Sequence, residues 1–148
     1  MTVRHATPFD IPALIEMLRE YREQTPLDFL KEADDEPYIK LMLSEIIHGK
    51  GVALISGDKE ATGMLIAGIH GSRWSPKHLL LTELAFWVRP EHRGGTDAYR
   101  LLAVYVQEGK RLKSEGRIRN YFVSKMVTSP DLSYDRLGFK KLEEFWVS

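Results

Sequence analysis

Leu79 to Leu102 reads LLLTELAFWVRPEHRGGTDAYRLL, and this stretch decides the fold. Its first part, Leu79 to Val88, has strand length and is apolar on both alternating faces, with Leu84, Phe86 and Val88 on one and Ala85 and Trp87 on the other. A strand of that kind belongs in the middle of a sheet, covered on both sides. Val88-Arg89-Pro90 ends it, since proline supplies no N–H to a ladder. Arg93-Gly94-Gly95 then turns the chain, and Ala98, Leu101, Leu102, Tyr105 and Leu112 recur at the spacing of one helix face. A glycine turn that opens a helix leaves backbone N–H groups unpaired, with the positive end of the helix dipole at the same point. The turn is therefore either a phosphate cradle or a plain tight connection.

Outward from this stretch, the periodicity resolves the remaining elements. Thr2 to His5 reads as a short strand, and Thr7-Pro8-Phe9-Asp10 as a helix start. Ile11, Leu14, Ile15, Leu18 and Tyr21 make an amphipathic first helix that Thr25-Pro26 ends. An acidic loop leads to a second helix with Tyr38, Leu41, Met42, Glu45 and Ile46, stopped by Gly49 and Gly51. Val52 to Ile55 and Gly63 to Ile69 read as strands, as does Ile118 to Val123. A short helix spans Leu132 to Leu137, and Lys140 to Leu142 with Glu144 to Val147 read as a closing pair of strands. The order is β-α-α-β-β-β-α-β-α-β-β, an α/β fold with one mixed central sheet and helices on both faces.

The bulk properties agree with one domain over residues 1–148. The chain has 43% hydrophobic and 28% charged residues and a formal net charge of zero. It lacks an apolar run of the ~20 residues that a membrane span needs, and no signal-peptide pattern opens it. Without cysteine there is neither a disulfide nor a thiolate nucleophile. The five histidines show no ligand spacing, so no metal is expected. A cytoplasmic location is the default expectation. Residues 1–60 carry 7 Lys/Arg against 12 Asp/Glu, and residues 61–148 carry 14 against 9. The glycine turn lies in the basic part, which suits a polyanionic ligand. The acidic part holds Asp28, Glu32, Asp34, Asp35 and Glu36, which either steer a cationic acceptor or form a solvated face. Neutral overall charge argues against a nucleic-acid partner, for which Lys110, Arg111, Lys113, Arg117 and Arg119 are the residues to test.

The spacing of Val88, Pro90, Arg93 and Gly94 resembles the acetyl-CoA-binding segment of the GNAT N-acetyltransferase superfamily, whose loop reads Arg/Gln-x-x-Gly-x-Gly/Ala. Arg93 takes its first position and Ala98 its last, while Thr96 stands where the middle glycine is expected. Ser133-Tyr134-Asp135-Arg136-Leu137-Gly138-Phe139 resembles the family's second signature, Tyr-x-x-x-Gly-Phe. The superfamily has the same element order. The resemblance implies transfer of an acetyl group from acetyl-CoA to a primary amine in a ternary complex. It places the co-substrate beside Phe86, Trp87 and Val88, with its pyrophosphate on Arg93, Gly94, Gly95, Thr96 and Ala98.

Glu83 is a carboxylate within an apolar strand, so it must be paired, hydrogen-bonded or open to a wet cleft. Desolvation would raise its pKa toward that of a useful base. The resemblance makes it the candidate general base, against a structural ion pair or a substrate contact. Tyr134 is where the family has the acid that protonates the departing thiolate, against a core tyrosine. Thr96 is a candidate helix cap, and Asp97 in the first turn would repel a phosphate. Those two residues motivate a second reading, a GNAT-like binding module without turnover. The apolar Phe145-Trp146-Val147 suggests an exposed edge and a homodimer.

Overall fold

A computed structural model describes residues 2–148. Five strands form one sheet in the order β1 (Val3–His5), β2 (Gly51–Ser56), β3 (Gly63–Gly71), β4 (Leu79–Val88) and β5 (Asn120–Phe122). All neighbours are antiparallel except β4 and β5, which are parallel and joined through helix α4 (Asp97–Ser114). The other helices precede β2. They are α1 (Ile11–Glu23), α2 (Asp28–Glu32) and α3 (Glu36–Glu45), the last running into a π turn over Ile46–Lys50.

Strand alternation sorts the core into two layers. Ala53, Ile55, Met64, Ile66, Ala85 and Trp87 face Leu14, Ile15, Leu18, Ile39 and Leu43 of α1 and α3. Val52, Leu54, Leu65, Ala67, Leu81 and Val88 face Leu101, Leu102, Tyr105 and Leu112 of α4. The stripes read for α1 and α4 are thus the buried ones, whereas α3 buries Ile39 and Leu43 and leaves the expected Tyr38 and Leu41 65% and 60% exposed. Gly109 sets how closely α4 approaches β5, because a Cβ there would lie 2.6 Å from the Tyr121 ring.

Four further expectations are corrected. Residues 28–32, read as loop, form the short helix α2. Residues 132–137 hold only a 3-10 turn at Tyr134–Leu137, entered through Ser133 in the left-handed region at φ 56°. The closing pair of strands does not form, and no described residue after Phe122 lies in a strand. Its physical reason is the pattern KKLEEFWV, which puts charged and apolar residues on both alternating faces and so offers no single face to bury. Leu142, Phe145, Trp146 and Val147 are accordingly exposed.

The fourth correction concerns β4 and positions the site. Ile66 pairs with Ala85 but Ala67 pairs with Glu83, so Leu84 is an extra, bulged residue. Leu84 does not join Phe86 and Val88 in the core and is 46% exposed. The bulge reverses the side-chain parity of the strand at that point. Glu83 therefore shares the α4 face with Leu81, and the next pair on that face is Phe86 and Val88.

Candidate active site

The parallel pairing of β4 with β5 ends at Thr82 and Phe122. Beyond it the two strands part, and from Glu83 onward one edge of β4 has no strand beside it. Arg89 N–H donates to the Thr62 carbonyl across β3, at 2.9 Å. In an antiparallel ladder this makes Gly63 and Val88 a non-hydrogen-bonded pair, so the Val88 N–H and C=O point away from β3 and into the gap. The gap is a cavity of about 350 Å³. The C-terminal turn of α1 closes it with Tyr21 and Gln24, the loop after β5 with Ser124 and Tyr134, and the start of α4 with Ala98.

Nine of the ten residues singled out in the sequence line this one cavity. Glu83, Phe86, Trp87 and Val88 come from β4, Arg93, Gly94 and Gly95 from the turn, Ala98 from α4, and Tyr134 from the 3-10 turn. Thr96 is not among the lining residues. Its hydroxyl accepts a hydrogen bond from Arg100 Nε at 3.1 Å and does not cap α4.

Asp97 also points elsewhere. It is 7% exposed, and its Oδ2 accepts from the Thr62 hydroxyl at 2.7 Å, which in turn contacts the Ser56 hydroxyl at 2.9 Å. Its carboxylate therefore ties α4 to the β2–β3 hairpin instead of filling the turn. Gly94 adopts φ +88°, a conformation that side chains resist, so the turn takes this path only with glycine. The N–H groups of Gly94, Gly95 and Thr96 make no hydrogen bond within the described residues. Together with the first turn of α4 they form an anion cradle without an internal anion.

Glu83 is 5% exposed, and its Oε1 accepts two hydrogen bonds from Ser124, from the backbone N–H at 3.0 Å and the hydroxyl at 2.9 Å. Burial raises its pKa above the usual carboxylate range, and the two Ser124 bonds offset part of that rise. The neighbouring phenols respond to the same buried charge. Tyr134 is pushed up to about 12 by burial, then by Glu83 and Asp131, and Tyr21 to about 12 by burial and Glu83. Tyr105, behind Glu83, is raised by burial and by the same carboxylate. Across the mouth, Arg93 Nε donates to the Val88 carbonyl at 2.9 Å, and its guanidinium lies 4.4 Å from the centre of the Trp87 ring.

Of the lining residues that the sequence did not single out, Tyr21 and Ser124 bear most directly on Glu83. Tyr21 reads there as one more apolar position of the α1 stripe, and only its place at the end of that stripe hints at a cavity. Ser124 carries no signal in the sequence, since a serine after a strand is ordinary. The acidic segment is mostly matched locally. Asp34 accepts from Arg19 and Arg22 at 3.0 Å each, Asp35 caps α3, and Glu36 sits 3.8 Å from Lys40. Trp74 is 89% exposed and lies outside the cavity.

No protein-family model and no curated relative matches the sequence. Solved structures do. One is a predicted acetyltransferase from Clostridium acetobutylicum with acetyl-CoA, 15% identical over 99% of this chain and 94% of that one, with a TM-score of 0.69. A second is a transcriptional regulator from Bacillus halodurans, 18% identical over 99% and 97% of the two chains, also at 0.69. A third is an aminoglycoside acetyltransferase from an uncultured soil metagenomic sample, 15% identical over 99% and 97%, at 0.64. At these identities the likeness establishes the fold, which is that of the GNAT acetyltransferases.

Proposed function

We propose that this chain, folded as the GNAT acetyltransferases are, moves an acetyl group from acetyl-CoA to a primary amine by direct transfer. One observation carries the reading. A single cavity joins a buried carboxylate (Glu83), a protonated phenol (Tyr134), an unpaired strand edge and the free N–H groups of Gly94 and Gly95.

The residues fit the co-substrate in three places. The turn N–H groups and the α4 dipole suit a pyrophosphate, and Asp97, turned into its bond with Thr62, does not oppose one. The Val88 edge of β4 offers a donor and an acceptor to an amide-bearing chain, once the Arg93 side chain leaves the Val88 carbonyl. Acetyl-CoA supplies the activated thioester. Glu83 takes the proton that the attacking amine nitrogen loses as the new N–C bond forms. The Val88 N–H faces the developing oxyanion. Tyr134 gives its proton to the sulfur as the C–S bond breaks. With no cysteine in the chain, the acetyl group is not parked on a cysteine thiol.

The acceptor is a primary amine that enters past Tyr21 and Gln24. A cationic amine suits the buried carboxylate and the negative end of the α1 dipole better than it suits the matched acidic segment. The first experiment is the unfolding midpoint with saturating acetyl-CoA, against ATP as a phosphate control. At ~100 times its dissociation constant a ligand adds about 2.7 kcal/mol, enough to raise the midpoint by several degrees. A rise with acetyl-CoA alone leads to a thiol-release assay over an amine panel. Binding without release from any amine favours the module without turnover, and no rise at all removes the co-substrate from the reading.

A further inference from the structure

Among the described residues that line the cavity, Glu83 is the one carboxylate, whereas Arg93 and Lys125 bring two cations. The acidic groups that flank the cavity are tied up or lie outside it. Glu20 on α1 accepts from the Trp87 indole at 3.1 Å and pairs with Arg89 at 3.3 Å. Asp131 accepts from the Ser133 N–H at 2.9 Å. Glu23, beside Gln24, does not line the cavity. An acceptor with two or more ammonium groups would therefore match one of them to Glu83 and leave the next among cations. An unpaired charge of that kind is how a site rejects a ligand.

Lys125 is the cation that the transfer chemistry leaves unused. Arg93 belongs to the phosphate turn, and its guanidinium lies over Trp87. Lys125 is exposed and makes no ion pair with a described residue. Its place in the fold separates it from the turn. The adjoining Ser124 donates both its N–H and its hydroxyl to Glu83 Oε1, so Lys125 stems from the cavity wall beside the base. Val88, where β4 ends before the turn, lies five residues beyond Glu83, roughly 15 Å at the usual rise of a strand. A pyrophosphate seated on the turn is thus remote from the root of Lys125, and the reacting amine is close to it.

We propose that the acceptor is a primary amine that itself carries a carboxylate, an amino acid, with Lys125 receiving the carboxylate while the amine nitrogen faces Glu83. This rests on the acetyl-transfer reading above and names its acceptor class. Each end of such a molecule then meets a group of opposite charge, through charge-assisted hydrogen bonds. The four-carbon stem of a lysine lets its ammonium follow acceptors of different size. Release is favoured by the same arrangement. Once the nitrogen is an amide it has lost its charge, its pull on Glu83 ends, and only the contact with Lys125 has to be broken.

Initial rates of thiol release from acetyl-CoA, measured with the whole chain, test this on pairs that differ by the carboxylate alone. The pairs are leucine with isoamylamine, phenylalanine with phenethylamine and alanine with ethylamine, and putrescine supplies a dication. Rates are expressed per unprotonated amine, so that differences in basicity drop out. Each amino acid is expected to exceed its decarboxylated partner at least ~10-fold in kcat/KM, the scale of one hydrogen bond to a charged group, and putrescine to be the poorest. Lys125→Glu and Lys125→Ala change an exposed side chain, and circular dichroism confirms that both fold. Lys125→Glu is expected to abolish the preference by raising the KM for the amino acid, with the KM for acetyl-CoA held, and Lys125→Ala to weaken it. A decarboxylated amine or putrescine used as well as the amino acids overturns the proposal and leaves acetyl transfer standing. A preference that survives Lys125→Glu overturns it, and so does a rise in the KM for acetyl-CoA instead, which would give Lys125 to the phosphates. No release from any amine, with acetyl-CoA still raising the unfolding midpoint, removes the transfer reading itself and the proposal with it.

Discussion

Ser124 holds one oxygen of Glu83 with two hydrogen bonds, at 3.0 Å from its N–H and 2.9 Å from its hydroxyl, across the gap where β4 and β5 part. The other oxygen makes no hydrogen bond among the described residues. The carboxylate is thereby fixed in orientation and still has a lone-pair oxygen for the cavity. Burial raises its pKa, and the two donors favour the ionised form and offset part of that rise.

Ser124→Ala removes one of those donors and leaves the backbone N–H. A hydrogen bond to a charged group is worth about 1.5–3 kcal/mol, which corresponds to a rise of roughly one to two pH units in the Glu83 pKa. The base must be ionised to act, so the acid limb of the kcat/KM profile moves to higher pH by that amount. Activity on the alkaline plateau changes little. An acid limb that stays in place while activity falls uniformly would assign Ser124 a structural role only.

Tyr134→Phe separates acid catalysis from packing, because the ring and its edge contact with Phe139 remain. Turnover is expected to fall at least ~10-fold, within the usual range for a lost general acid, and the dissociation constant of acetyl-CoA to stay the same. The phenol sits near pKa 12, so it stays protonated across the assay range and adds no alkaline limb of its own. Unchanged kcat in steady-state assays rejects the acid role.

How legible this was depends on where the information lies. Periodicity exposed the α1 and α4 stripes because burial of one helix face is a property of local spacing. The turn at Arg93-Gly94-Gly95 was legible because glycine marks positive φ and free N–H groups. The Leu84 bulge was not, since it arises from a mismatch of register between β3 and β4 that neither strand carries alone. Asp97 looked like an obstacle to phosphate until the β2–β3 hairpin brought Thr62 within 2.7 Å. Ser124 and Tyr21 escaped for the same reason, being brought to Glu83 by tertiary contacts distant in sequence. The closing strands were over-read from apolar residues with no alternation to support them.

Glu83→Gln tests the cost of the buried carboxylate. The folded-state pKa of Glu83 is raised above its ordinary value of 4.5. The protonated form is therefore favoured by folding, and stability falls as pH rises from the unfolded value through the folded one. Glutamine keeps an oxygen for the Ser124 donors and carries no charge. The variant should unfold at or above the wild-type midpoint at pH 8, with the advantage vanishing below the unfolded pKa, while turnover drops about 100-fold or more. Thermal scans across pH would decide it, and a variant less stable than the wild type at pH 8 contradicts the buried charge.

Thr62→Val tests the anchor that turns Asp97 away from the cradle. Valine matches the shape of threonine but cannot donate, so the buried Asp97 carboxylate loses its 2.7 Å partner and Ser56 loses its link to it. Leaving such a group unpaired costs about 1–3 kcal/mol, which lowers the midpoint by several degrees. A second effect distinguishes this anchor from ordinary core packing. The released carboxylate lies one residue from the Gly94–Thr96 donors and turns toward them, where it opposes an incoming pyrophosphate. Acetyl-CoA affinity should therefore weaken, and added salt should recover part of the loss by screening the repulsion. Calorimetric titration at two ionic strengths reads this directly. Equal affinity for the variant and the wild type at low salt would mean that Asp97 never threatens the cradle, and that its bond to Thr62 serves the hairpin alone.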